Sequence, residues 1–310
     1  MTGPLSPYVT PDQLTMYPTG VSWDSIPNQR ASDTEKYAAQ VMLCQEATTM
    51  ADARANQILR STIQTEQLFG PGTYRVNSLP NGNTRLLLSQ WPITSVTAVQ
   101  WAVANAFPLQ FNPVPNGAWL IERPPLMLPG SSAAADSGTG GQSIQVGMGN
   151  ITWWAGRGGC VIETTYGAGW PHCGLTKAAA AGDEILYVDD CTGWAPTTPG
   201  GQGCTGVIQD TALGQQEAAT VLAATTTSGP GILTLSAALT SQHSPGILLS
   251  ALPGQIQWAT VLYAASLALT RGATATTIQT VRGGGQRTAS GHTTLKQQAD
   301  CFLTPFMRVV

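Results

Sequence analysis

Only 10% of the 310 residues are charged, against roughly 25% in ordinary soluble domains, and the net charge is −3. That balance excludes a protein that grips nucleic acid along its whole length by neutralising phosphates. Apolar content is ample for two cores, and the sparse charge fits a subunit that buries its flanks against further copies as well as it fits a compositional bias.

Residues 1–33 are Pro-rich (Pro4, Pro7, Pro11, Pro18, Pro27), with one short helical turn expected at Pro11-Asp12-Gln13-Leu14. Ser32 or Asp33 can cap a long helix, with Glu35 complementing its N-terminal dipole. Tyr37, Val41, Cys44, Ala47, Ala51, Ala55, Ile58 and Thr62 then recur every three or four residues, which predicts a helix reaching Gly70-Pro71-Gly72. Its Ala-rich face suits packing inside the subunit or building a ring, and both readings stand open.

Residues 73–170 predict β-structure centred on Arg85–Trp101. Leu86-Leu87-Leu88 is a buried run, Trp91-Pro92 breaks it, and Ile93, Val96 and Val99 resume a strand expected to pair with Val161–Trp170. Trp119-Leu120-Ile121, Ile144–Val146 and Ile151–Trp154 are further strands, and Gly130–Gly141 is expected to be a loop. Short strands punctuated by Gly, Pro and Asp make residues 171–253 an inserted barrel or sandwich. A helix over Gln255–Arg271, a Gly-rich loop at Thr276–Gly291 and a last helix over Thr293–Phe302 complete the chain.

Charge is unevenly placed: residues 176–250 hold six acids against Lys177, whereas residues 254–310 hold five bases against Asp300. The six cysteines (Cys44, Cys160, Cys173, Cys191, Cys204, Cys301) form no CxxC pair. Met1–Tyr17 lacks the basic start and apolar core of a secretory signal. The apolar run Trp258–Thr270 is too short to span a bilayer. A reducing, cytoplasmic site of synthesis with free thiols follows as an expectation, with no membrane partner.

Candidate chemistry is thin. His172-Cys173 with Cys191 and Cys204 gives only one closely spaced pair of zinc ligands. A nucleophile at Cys173 or Cys160 has no orienting third group. Arg282-Gly283-Gly284-Gly285 lacks a phosphate-loop ending. His243 reads as a turn residue, and Asp189-Asp190 as a turn closure. No enzyme activity, cofactor or metal is expected. Trp153-Trp154 reads as packing; the rival function is a receptor- or carbohydrate-binding β-rich protein with these two rings as its platform.

Four stretches recur in a telling order. Cys44-Gln45-Glu46-Ala47-Thr48 through Ala51-Asp52-Ala53, then Leu59-Arg60-Ser61-Thr62 and Gly70-Pro71-Gly72, form the opening segment. Leu88–Val99 carries an apolar residue, a Pro and a Ser-Val-x-x-Val run, and Tyr166-Gly167-Ala168-Gly169-Trp170-Pro171 a Tyr-x-x-Gly-aromatic-Pro strand end. Trp258–Arg271 with its following loop and helix closes the series. In this order they resemble the head–tail connector (adaptor) proteins of long-tailed bacteriophages, over most of residues 1–170 and 254–310.

The resemblance implies an α+β fold, a helical connector core with a small antiparallel β-sheet and an inserted β-barrel or sandwich module. Residues 1–170 would supply the first helix and sheet, 171–253 the module, and 254–310 the closing helices and a portal-docking tail. It further implies a virion neck ring, commonly of twelve copies, with the portal protein above and a stopper or other neck protein below. Genomic DNA would pass through the lumen without sequence-specific binding. The apolar tail, Phe302, Pro305, Phe306, Met307, Arg308, Val309 and Val310, is the expected portal-binding element; packing of the same side chains on the protein's own first helix is the alternative.

Overall fold

The computed structural model describes residues 6–70, 75–79, 83–104, 107–115, 118–122, 143–146, 159–196, 203–210, 215–273, 278–279, 286–287 and 292–308. Two capping boxes start the helical layer. Thr10 caps α1 (Pro11–Met16), and Ser32 caps α2 (Asp33–Ala55), where the Glu35 carboxylate accepts from the Ser32 amide at 2.8 Å. α2 ends at Asn56, which adopts the left-handed conformation, φ 55°.

The strand β1 (Thr62–Gly70) follows α2, so the helix expected to reach Gly70 is about four turns shorter. Ile58 and Thr62 keep helical spacing by coincidence, while Thr62–Gly70 alternates between inward and outward residues as a strand does.

β2 (Val76–Ser78), β3 (Thr84–Leu86), β4 (Ile93–Val103), β5 (Asn112–Pro113), β6 (Trp119–Glu122), β7 (Ser143–Val146) and β8 (Cys160–Ala168) complete a sandwich. One antiparallel sheet runs β1-β8-β4-β5 and the other β2-β3-β7-β6. Leu68, Val99, Ile162 and Tyr166 of the first meet Val76, Leu86, Ile144 and Val146 of the second in a common core. The expected pairing of Arg85–Trp101 with Val161–Trp170 is present as β4 against β8, joined from Ile93↔Ala168 to Val103↔Cys160. Glu66 pins the sheets: it accepts from the Ser89 amide and hydroxyl and pairs with Arg75.

β9 (His172–Gly174), β10 (Ile185–Val188), β11 (Thr205–Asp210), β12 (Gln215–Ala224), β13 (Gly231–Leu235) and β14 (Leu248–Ser250) form a six-stranded sheet, β10-β13-β12-β11-β14-β9. A bridge between Leu175 and Val188 brings the β9 end back to β10, curling the sheet into a small barrel around Trp194, Ile208, Leu233 and Leu249. These six strands share an apolar core of their own.

α3 (Gly254–Thr270) leaves the barrel and packs on α2. β15 (Ile278–Gln279) pairs with β16 (Gln286–Arg287) inside the stretch expected to be loop, and α4 (His292–Leu303) ends in a turn of 3-10 helix, Thr304–Phe306. Ala47, Ala51 and Ala55 of α2 and Ala264, Ala265 and Ala268 of α3 lie in one core, small side chains that allow close approach.

The expectation of a helical connector core is corrected by this architecture. The described chain is mostly antiparallel β, and the helices form one layer beside a sandwich and a barrel. Each of the two β-units encloses a separate apolar cluster, so neither depends on helices for its core.

Gly169 sits where sandwich, barrel and helices meet. Its φ is +95°, and a Cβ there would lie 2.3 Å from the Arg60 carbonyl oxygen. The next residue, Trp170, accepts from the Ser61 amide at 2.7 Å and donates to the Leu59 carbonyl at 3.0 Å. Gly246 has a similar φ of +86° but open space around it. Gly246→Ala should cost about 1 kcal/mol from backbone strain alone, and Gly169→Ala about 3 kcal/mol or more from strain plus collision. Chemical denaturation of the two variants checks the difference; equal losses would mean that the junction relaxes freely.

Candidate functional site

The terminal segment expected to dock on a portal is mostly committed to its own subunit. Phe306 is buried, its ring edge-on to Trp170 at 5.5 Å, and Trp170 is in turn edge-on to Trp91 at 5.5 Å. Gln57 donates to the Phe306 carbonyl at 2.9 Å, the Arg308 amide to the Ala55 carbonyl at 2.9 Å, and the Arg308 guanidinium to the Leu88 carbonyl. Phe302 and Pro305 are exposed, and Met307 is half-buried. Val309 and Val310 lie outside the described residues. Phe306 and Arg308 thus pack within their own subunit, but not with their side chains on the first long helix. The Phe306 ring meets Trp170 and the Arg308 guanidinium the Leu88 carbonyl, and only their backbone atoms bond to Ala55 and Gln57 at and just beyond the end of α2.

His172 does not meet a zinc set. Its Nε2 lies 2.8 Å from the Pro7 carbonyl, which can only accept, so Nε2 carries the proton. Nδ1 then accepts from the Ser250 hydroxyl at 2.9 Å. Ser250 stands directly opposite His172 in the β14–β9 pairing, and its oxygen accepts from the Gln257 side chain at 3.1 Å and the Leu252 amide at 3.2 Å.

The chain of bonds continues outward. Gln209 donates to Gln257 at 2.8 Å, Gln13 to Gln209 at 2.5 Å, and the Thr10 amide to Gln13 at 2.7 Å. All of these side chains are buried. This Ser–His pair is a strut between barrel, α3 and the segment around α1, and its hydroxyl is hydrogen-bonded on every side. Burial holds the His172 imidazole down at a pKa of about 4, against the opposing pull of the Pro7 carbonyl and Asp189.

The other polar candidates also brace turns. Asp189 accepts from the Ser6 hydroxyl at 2.6 Å and the Gly174 amide at 2.7 Å, and Asp190 from the amides of Thr192 and Gly229. His243 is more than a turn residue: it is buried between two carboxylates, Nδ1 3.3 Å from Asp210 and Nε2 2.7 Å from Glu217. Burial would raise Glu217, but the Thr240 hydroxyl and amide, His243 and the Ser241 amide outweigh it and hold the carboxyl at about 2. Cys173 and Cys191 are buried, and burial pushes both thiols up. Trp153, Trp154 and the Gly283–Gly285 stretch lie outside the described residues.

Two surface features were not read from the sequence. On α2, Thr34, Ala38, Met42, Gln45, Thr49 and Ala53 are all exposed, fall at spacings of three and four, and include no charge. Beside that stripe opens an apolar pocket of about 250 Å³, walled by Ile26, Pro27, Ala39, Met42, Leu43 and Ala273. Ser25 and Arg271 also line it, and the Arg271 guanidinium lies 2.6 Å from Glu46. The second feature is Phe107, 99% exposed in the loop between β4 and β5. The outward stripe was present in the sequence as the complement of the Ala-rich face. A Phe-Pro pair after a long β-branched strand was the available signal for a loop aromatic.

No family model, no curated protein and no solved structure matches the chain.

Two outcomes follow from this geometry. An unfolded His172 titrates near 6.5 and binds a proton that the native state refuses until about pH 4. Stability from this residue is therefore complete above pH 6.5 and falls by about 3 kcal/mol as pH drops to 4. Denaturation of His172→Gln across that window should give a less stable protein whose slope against pH is flatter than the parent's. Glu217 acts at lower pH, its contribution being lost only as pH falls towards 2. For the tail, a chain ending at Leu303 loses the Phe306–Trp170 contact and the carbonyl that satisfies Gln57. Its unfolding free energy should drop by about 3–5 kcal/mol; an unchanged melting temperature would return the segment to the role of a free docking arm.

Proposed function

We propose that this chain is a structural virion protein of a long-tailed phage, assembled as a ring at the neck, where it joins the portal to the tail and continues the DNA channel. The observation that carries the reading is the uncharged outward stripe of α2. Solvated helix faces are normally charged, and Thr34, Ala38, Met42, Gln45, Thr49 and Ala53 offer small or flexible side chains instead. Such a face suits cover by a neighbouring copy. The low overall charge and the order of the four connector-like stretches support the same reading.

The distribution of charge suggests an orientation. Six acids against one base in residues 176–250 favour placing the barrel on the outside, away from DNA phosphates. The more basic residues 254–310 are better suited to the channel side, with few enough cations that DNA still slides. Phe302 and Pro305, the exposed part of the terminal segment, are available to a portal.

The test is the stoichiometry of purified necks, measured by quantitative mass spectrometry together with antibody labelling in electron micrographs. We expect about one copy per portal subunit, and label at the head–tail junction. Absence from the neck, or a single copy per particle, would overturn the proposal.

A further inference from the structure

We infer that copies of this chain associate head to tail, with Phe107 of one copy seated in the pocket beside α2 of the next. The inference deepens the ring reading by naming a contact, yet it rests on separate observations. Phe107 is 99% exposed, an extreme for a large apolar side chain. The pocket formed by Ile26, Pro27, Ala39, Met42, Leu43 and Ala273 is already open, at about 250 Å³. A cavity of about 150 Å³ lined by aliphatic side chains accepts benzene, so the space is sufficient for a phenyl ring with part of the adjoining Pro108.

The occupant has to come from another copy. Phe107 stands beyond the end of β4, which is held along its whole length to β8, from Ile93↔Ala168 to Val103↔Cys160. Phe107 is 99% exposed and so is not seated in the pocket of its own chain. Knob and hole are different surfaces, so the contact is heterologous, and repeated copies form a closed ring or an open filament according to the rotation between them. Met42 belongs both to the pocket and to the uncharged stripe. A neighbour anchored by Phe107 would thus also be placed against α2, and the low charge there removes the desolvation cost that salt-bridging residues would carry. Arg271, which also lines the hole with Ser25, is paired with Glu46 at 2.6 Å, and the remaining lining is apolar.

The decisive experiment uses two variants of the full chain. Phe107→Ala removes the knob and keeps the hole; Ala39→Phe, at a half-buried helical position, fills the hole and keeps the knob. Sedimentation velocity across a concentration series should show each variant alone associating at least about thirtyfold more weakly than the parent, as expected for loss of an aromatic anchor. Mixed in equal amounts, they retain one intact knob and one intact hole, and should form a heterodimer that grows no further. Circular dichroism and melting temperature are expected to match the parent for Phe107→Ala, whose side chain touches solvent.

A parent chain that stays monomeric at its highest soluble concentration would overturn the inference. So would variants that assemble as the parent does, or a mixture that restores no dimer. For a variant that misfolds, a photoreactive phenylalanine at position 107 replaces it. Cross-links between isotopically heavy and light copies should then reach residues 26–43 of the other copy, and cross-links confined elsewhere overturn the contact. A neck ring whose position 107 cross-links elsewhere removes this contact and leaves the ring reading intact. Assembly through Phe107 by a protein absent from necks does the reverse.

Discussion

The barrel meets the helical layer along one directional line of hydrogen bonds. It starts at the Thr10 amide, passes through Gln13, Gln209, Gln257 and Ser250, and ends when His172 donates to the Pro7 carbonyl. Each side chain accepts from the one before and donates to the one after, so every side-chain nitrogen and oxygen along the path has a hydrogen-bond partner. A line of this kind strengthens through mutual polarisation and becomes costly if one member is lost, because its neighbours stay buried without a partner. It crosses three pieces of structure: the segment around α1, the barrel strands β11, β14 and β9, and the first turn of α3. The barrel has its own apolar core, but its position against the helices is set by these polar contacts.

Local signals in the sequence translated well into structure. Ser32 with Glu35 three residues later is a capping box in chemistry and in geometry. The β-branched run after Trp91-Pro92 is β4, and its partner ends at the Gly-aromatic-Pro corner where only glycine fits. What stayed hidden depended on distance. Gln13, Gln209 and Gln257 belong to three separate windows, each of which reads as an ordinary polar residue. Phe306 looked like an apolar end without a core because Trp170 lies far away along the chain. The end of α2 was masked by Ile58 and Thr62, which continue the helical spacing after Asn56 has already turned the backbone. The end of the expected helix became an edge of the sandwich, and the balance of the fold moved from helical to β.

The surfaces divide the work differently from the interior. Inside, polar side chains hold units in register. Outside, the longest helix offers no charge along one flank, and a phenyl ring stands in water at the end of the longest strand. Both set uncharged or apolar surface against water. The fold accordingly keeps its polar precision for holding its own units together, and leaves simple shape and apolarity on its surface.

The directional line also has a temporal side. Pro7, Thr10 and Gln13 leave the ribosome well before their partners Gln209, Ser250 and Gln257. The segment around α1 therefore waits, unanchored on its barrel side, until the barrel and the start of α3 have emerged. Contacts of such long sequence separation form late and slowly. That delay has an order built into it: β4, with Phe107 beyond its end, is synthesised before the line that locks the barrel to the helices can close. The fully fastened fold is thereby reached only after Gln257 has emerged, and β4 is made while the framework around it is still open.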